Sequence, residues 1–236
     1  MSLTEALGLP PEAAQAVLLS LRVALVAVLA SLPAGLFTAY ALARWEFPGK
    51  SLVNGLVHLP LILPPVVTGY LLLLTFGRTG WLGAPLADLG IVLAFRWTGA
   101  ALAAAIMAFP LMVRAIRLAI EAVDPGLEEA AATLGASTPR IFATITLPLI
   151  LPGILAGAVL AFAKAMGEFG ATITFVSNIP GQTQTLPTAI YSFLQVPGAE
   201  ATVARLVLVA VAVAMVALVL SEWVARRVAA RIKGAR

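Results

Sequence analysis

Residues 129–148 read EAAATLGASTPRIFATITLP, a polar hairpin set between two strongly apolar runs. Just upstream, Asp124-Pro125 has the form of a helix start, with a carboxylate to cap free N–H groups and a ring that pre-sets the first helical φ. Gly135 is the matching stop. Between them Leu127, Ala130, Ala131 and Leu134 fall at i, i+3, i+4 and i+7, one narrow apolar stripe with Glu128 and Thr133 turned away from it. A second helix is expected to begin at Thr138-Pro139. Small alanines on such a face let a second protein's backbone come close, which suits a helix that docks into a socket. By itself the segment also fits a membrane-surface helix or a plain connector.

The surroundings of the hairpin are those of a membrane protein. Hydrophobic residues make up 61% of the chain and charged ones 11%, and the mean hydropathy is +1.02, which excludes a water-soluble enzyme. Charges are spaced so that five uncharged windows remain, at 23–43, 51–77, 97–113, 141–163 and 206–221. A crossing needs about 20 apolar residues, so the two shorter windows must borrow a turn whose arginines snorkel: Arg114 and Arg117 in one, Arg205 in the other. The uncharged stretch 169–199 is broken by Asn178, Pro180, Gly181, Gln182, Gln184 and Pro187 and reads as a loop carrying a short helix.

Five spans put Arg44, Lys50, Arg114, Arg117, Arg140, Arg226, Arg227, Arg231, Lys233 and Arg236 on one side and Arg22, Arg78, Arg96 and Arg205 on the other. The positive-inside rule makes the first side cytoplasmic, so the amino terminus with Glu5 and Glu12 lies outside and the hairpin and carboxyl terminus lie inside. The net charge of +4 then reflects topology rather than a nucleic-acid surface. No basic n-region or A-x-A site marks a cleaved leader, so the first span is expected to stay. With no cysteine and a single histidine, His58, there is no expected metal site. Neither G-x-x-x-x-G-K-[ST] nor G-x-G-x-x-G occurs, so any ATP must be bound by a partner.

Two features lie within the apolar spans. In the second, Pro60, Pro64 and Pro65 each remove a donor and free a carbonyl, so this helix should be kinked or broken. Freed backbone in lipid needs protein or water beside it, which makes Pro64, Pro65 and Thr68 candidates for a pathway or gate; a bend that merely fits its neighbours is the alternative. In the fourth, Gly153 and Gly157 permit close helix packing. Lys164 and Glu168 follow one turn apart, with Lys164 about 24 Å beyond Pro148 and so in the outer part of the membrane. They either neutralise each other or, with Thr172, face a pathway for an anion.

The spacing of Glu129-Ala130-Ala131, Gly135, Ile145 and Leu147-Pro148 matches every fixed position of the EAA loop of bacterial ABC-importer permeases, and the chain resembles that family. The runs 167–174 and 178–187, with Phe47-Pro48-Gly49-Lys50, Leu59-Pro60, Pro64-Pro65 and 109–117, are similar to its molybdate branch over nearly the whole chain. The resemblance implies an all-α membrane protein of the type I importer fold, five transmembrane helices with a cytoplasmic coupling hairpin. It implies one transmembrane domain over 1–236, with the EAA loop at about 124–148 and a basic cytoplasmic tail at about 226–236. Glu128, Glu129, Ala130, Ala131, Leu134, Gly135, Ile145, Leu147 and Pro148 would couple to an ATPase.

The further implications are a homodimer with its pathway on the two-fold axis, two cytoplasmic ABC ATPase subunits carrying ATP and Mg, and a periplasmic or extracellular molybdate-binding protein. That protein would dock on Asn178, Gln182, Thr183, Gln184 and Thr185, or on the segment 80–97. The chain would sit multi-pass in the inner membrane among lipid, bind no cofactor, catalyse nothing itself, and pass molybdate as cargo. Two alternatives stay open: tungstate, sulfate or another oxyanion in the same machinery, and an ATP-independent secondary carrier or channel.

Overall fold

The computed structural model describes residues 8–234, and the described residues are helical with no strand. In chain order the helices are α1 (Pro11–Arg44), α2 (Lys50–Ile62), α3 (Pro65–Phe76), α4 (Gly83–Asp88), α5 (Trp97–Glu121), α6 (Pro125–Thr133), α7 (Thr138–Ile141), α8 (Leu147–Met166), α9 (Gly170–Val176), α10 (Leu186–Phe193) and α11 (Glu200–Gly234). A π turn, Phe142–Thr146, joins α7 to α8. Glu5 and Arg236 lie outside the described residues.

Helix α5 is the centre. It packs on α1, α8 and α9, and its inward face is built from Ala100, Ala101, Ala103, Ala104 and Ala108 with Met107, Met112 and Ile116, all buried. Lipid tails are as apolar as leucine, so helices in a bilayer gain little from hiding leucine and associate through close contact of small residues. Gly153 and Gly157 of α8 serve this contact: a Cβ on Gly153 would collide with the Ala119 methyl, and one on Gly157 would stand 3.1 Å from the Met112 carbonyl oxygen. Many other large apolar side chains point outward, Leu52 at 68% and Ile62 at 79% exposure among them.

Four helical runs, α1, α5, α7 through α8, and α11, are long and apolar enough to cross a membrane, and the bent pair α2–α3 makes the expected fifth; contacts at the helix ends fix their parity. At one end the Arg22 guanidinium of α1 lies 3.8 Å from the Trp97 ring that starts α5. At the other, Arg44 closing α1 donates to the carbonyl of Val123, just past α5, at 3.4 Å. Helices α1 and α5 therefore run the same way, and the chain between them must cross once. That crossing is α2 with α3, bent by 114° at Leu63-Pro64, the break that the three prolines predict. Helix α8 returns antiparallel to α5, and α11 starts at the Arg22 end, where Arg205 hydrogen-bonds the Gly8 carbonyl.

Three boundaries differ from the sequence reading. Helix α1 begins at Pro11 rather than near 23, because Ala13, Ala14, Ala16 and Val17 bury against the bundle. The stretch 169–199 carries two short helices rather than one. The Glu168 carboxylate accepts from Ala171 N at 3.0 Å and starts α9, and a reciprocal Thr185–Thr188 capping box starts α10. The π turn was not expected. Pro148 cannot donate to the Thr144 carbonyl, and Leu147 N bonds instead to Phe142 O, five residues back.

Candidate functional site

The hairpin forms as its residues direct. Asp124 Oδ1 accepts from Gly126 N at 2.9 Å, Pro125 opens α6, and Gly135 leaves it with φ +82°, a left-handed turn that glycine takes without strain. The apolar stripe faces out: Leu134 is 88% exposed and Leu127 40%. Ala130 and Glu129 are exposed and Ala131 half-buried. On the return arm of the hairpin Ile145 and Leu147 are half-buried and Pro148 is exposed.

Glu128 is turned from the stripe and toward the protein's own body. Its Oε2 lies 3.2 Å from Arg44 Nη2 at the end of α1, and its Oε1 accepts from Thr146 Oγ1 at 2.6 Å. Thr146 is 1% exposed and sits in the π turn that leads into α8. One carboxylate thus ties α6 to the first span and the fourth. Sequence reading named Glu128 but missed Arg44 and Thr146. The π turn that aims Thr146 inward carries no periodicity signal.

Of the six intramembrane candidates, Pro64 and Pro65 stand exposed at the break, while Thr68, Thr172 and Glu168 are buried at 6%, 1% and 3% exposure. Thr68 does not open onto the surface as a passing solute would require. Gly69 brings α3 against the Ala171 backbone of α9, and this close approach encloses the threonine, whose hydroxyl has no partner. Lys164 Nζ donates to Glu168 Oε2 at 2.9 Å, so Glu168 both neutralises the lysine and caps α9. His58 Nδ1 lies 2.8 Å from the Asn54 carbonyl one turn back in the same helix.

The five polar loop candidates divide as well. Gln182 is exposed and Asn178, donating to Ser192 Oγ at 2.6 Å, is half-buried. Thr183, Gln184 and Thr185 are buried at 0%, 6% and 4%, a correction to their reading as surface groups. Thr183 Oγ1 accepts from Ile179 N at 3.0 Å and Thr185 caps α10, so both hold the loop's own shape. Among the described residues no cluster of histidine, cysteine or carboxylates suits a metal ion.

Comparison with known proteins gives three findings. Residues 31–234 match the family model described as binding-protein-dependent transport system inner membrane component. The chain is 62% identical over 213 residues to the molybdenum transport system permease protein ModB of Escherichia coli (strain K12), covering 90% of this chain and 93% of that one, and 58% identical over the same length to ModB of Haemophilus influenzae. Among solved structures it resembles a bacterial ABC transporter involved in the import of the acidic polysaccharide alginate. The TM-score is 0.74 at 21% identity, over 94% of this chain and 82% of that one, a likeness of fold.

Proposed function

We propose a function from one premise: the chain belongs to the family of binding-protein-dependent transport system inner membrane components. It is a multi-pass inner-membrane permease subunit of an ABC importer, and its cargo is molybdate, in keeping with the names of its 62%-identical and 58%-identical relatives, which are molybdenum transport permeases. ATP is bound and hydrolysed by a separate cytoplasmic subunit with Mg, two copies per assembly. The permease pairs with a second copy of itself, forms one domain over its whole length, and takes molybdate from an external binding protein.

The observation that carries this reading is α6, a rigid capped helix with its apolar stripe turned outward and its acidic face pinned inward by Arg44 and Thr146. Such a helix seats in a partner's groove without its own body in the way. Glu129, Ala130, Ala131, Leu134 and Gly135 meet the ATPase; Ile145, Leu147 and Pro148 pass the displacement into α8. The hairpin end is cytoplasmic, with the carboxyl terminus, and the Arg22 end faces outside, with the amino terminus.

Prolines 60, 64 and 65 free the carbonyls of Leu56, Pro60 and Leu61 along a helix pair whose face is exposed from Leu52 to Leu74. Hydrocarbon does not tolerate open backbone, so this face belongs against the second copy and the pathway between the two. Lys164 stands beside that pathway, and Glu168 restrains its charge. Cargo is tested by uptake of labelled molybdate into proteoliposomes holding permease, ATPase and loaded binding protein, with tungstate or sulfate in excess. Persistence against sulfate is expected. Strong suppression by sulfate would keep the machine and change its cargo.

A further inference from the structure

On α5 the residues Ala103, Met107, Pro110, Arg114, Leu118 and Glu121 follow one another at steps of three or four and so form a single stripe. The stripe is buried through Pro110 and exposed from Arg114 onward, with Leu118 at 58%. Helix α9 packs on the outer half of α5: a Cβ on Gly99 would meet Val176 Cγ1 at 2.8 Å, and α9 is in turn locked to α3 where Gly170 stands against Pro65. The inner half has no such cover among the described residues. On one flank α8 packs on Ala115 and Ala119, on the other α2 reaches Arg117 through Asn54, and Arg114 lies in the cleft between them.

Charge is distributed unevenly in this cleft. Arg44 marks its inner end by bonding the Val123 carbonyl, and Arg114, nine residues earlier, lies about 13 Å further into the membrane. An arginine at that depth is costly unless it is paired or faces water. Arg117, one turn away, is paired: its Nε donates to Glu121 Oε1 at 2.7 Å and its Nη1 to Asn54 Oδ1 at 3.1 Å. Arg114 has no carboxylate partner among the described residues, where the ion pairs are those of Arg44, Lys50, Arg117, Lys164 and Arg226. The 147–163 stretch of α8, the opposite wall, carries no charge. One uncompensated guanidinium thus stands between apolar walls, which focus its field on the cleft.

We propose that Arg114 is an anion-receiving site in a water-filled vestibule on the hairpin side of the closed α3–α9 contact, where it holds a tetrahedral oxyanion on its way out to the cytoplasm. The proposal rests on the importer reading above and assigns that reading a residue. A planar guanidinium fork matches two oxygens of such an anion. A single exposed fork also holds it weakly, as a point of release must. In the pair of permeases a second Arg114 enters the same vestibule, and the two charges balance a dianion. A lipid headgroup offers the same phosphate chemistry, but α2, whose Leu56 carbonyl Pro60 leaves open, borders the cleft, and open backbone calls for water rather than hydrocarbon.

The test uses the full permease–ATPase complex, without nucleotide, in nanodiscs of neutral phospholipid. The chain has no cysteine of its own, so Leu118→Cys places one reporter thiol in the cleft, one turn from Arg114. Its rates of modification by an anionic sulfonate and by a cationic quaternary-ammonium methanethiosulfonate are compared at low salt, with the mass of the permease subunit as readout. Both reagents need an ionised thiol in water. The anionic reagent should be the faster, and Arg114→Gln should lower the anionic-to-cationic ratio roughly tenfold. Arg114→Lys keeps the charge and should keep most of the ratio. Added molybdate should slow the anionic reagent when Arg114 is present and leave the rate unchanged in Arg114→Gln.

A ratio that Arg114→Gln leaves unchanged would overturn the proposal, as would a molybdate effect of equal size in both chains. A thiol that ignores both charged reagents yet reacts with an apolar maleimide would place the stripe in lipid or against another protein surface, and the vestibule would fall. If anionic phospholipid in the disc abolished the molybdate effect, the arginine would belong to a headgroup phosphate, which also overturns it. ATP-driven uptake of labelled molybdate by the unaltered complex, supplied with loaded binding protein in proteoliposomes, keeps the two readings apart. Uptake with any of these failures removes the Arg114 site alone, whereas no ATP-dependent uptake removes the importer reading and the site with it.

Discussion

The two oxygens of Glu128 go to different parts of the chain, Arg44 at the end of α1 and Thr146 before α8. Removing the carboxylate leaves a half-buried guanidinium and a buried hydroxyl without their acceptor. Glu128→Ala is therefore expected to lower stability by about 1–3 kcal/mol, read as a fall in melting temperature in detergent. A double-mutant cycle with Arg44→Ala should return a coupling energy, and strict additivity would show the pair to be idle. The Lys164–Glu168 pair separates packing from transport. Lys164→Met strands a carboxylate that is 3% exposed and should cost about 3 kcal/mol or more. Lys164→Met with Glu168→Leu should recover much of that stability while α9 loses its cap. Restored melting with lost uptake places the pair on the pathway; restored melting with full uptake makes it structural.

Elements were legible wherever composition or punctuation carried the information. The five crossings follow from charge spacing, the 114° break from Pro60, Pro64 and Pro65, and α6 from Asp124, Pro125 and Gly135. What escaped was of two kinds, short-range backbone bonding that periodicity does not report and contacts between distant segments. The π turn follows from a missing proline donor, α9 from a carboxylate folding back onto Ala171 N, and the burial of Thr68 from α9 lying on Gly69. Polar loop residues were read as surface because polarity cannot distinguish a docking group from one that holds its own loop together, as Thr183 does by accepting from Ile179 N and Thr185 by capping α10. The close crossing of α5 and α8 yields a prediction of its own. Gly153→Leu forces apart helices whose Ala119 methyl already fills the space, so it should destabilise the bundle by about 1–3 kcal/mol. An unchanged melting temperature would show that the two helices do not pack this closely in the membrane.

For the molecule as a whole, the end contacts Arg22–Trp97 and Arg44–Val123 require the hairpin and the loop near Gln195 to lie on opposite sides of the membrane. The natural chain has no cysteine, so single cysteines report sidedness cleanly. In intact cells an impermeant thiol reagent should label Gln195→Cys and spare Ser137→Cys until the membrane is opened; the reverse pattern would invert the proposed orientation. The central claim is that motion of α6, driven by ATP on a partner, opens the way for the anion. It is tested most directly by uptake of labelled molybdate into proteoliposomes holding permease, ATPase and loaded binding protein, with and without ATP on the ATPase side. Gly135→Pro in α6's exit turn is compared at equal incorporation. Uptake should require ATP and vanish in the variant while the ATPase still binds nucleotide. Uptake by the permease alone without ATP, or full transport by the variant, would contradict it.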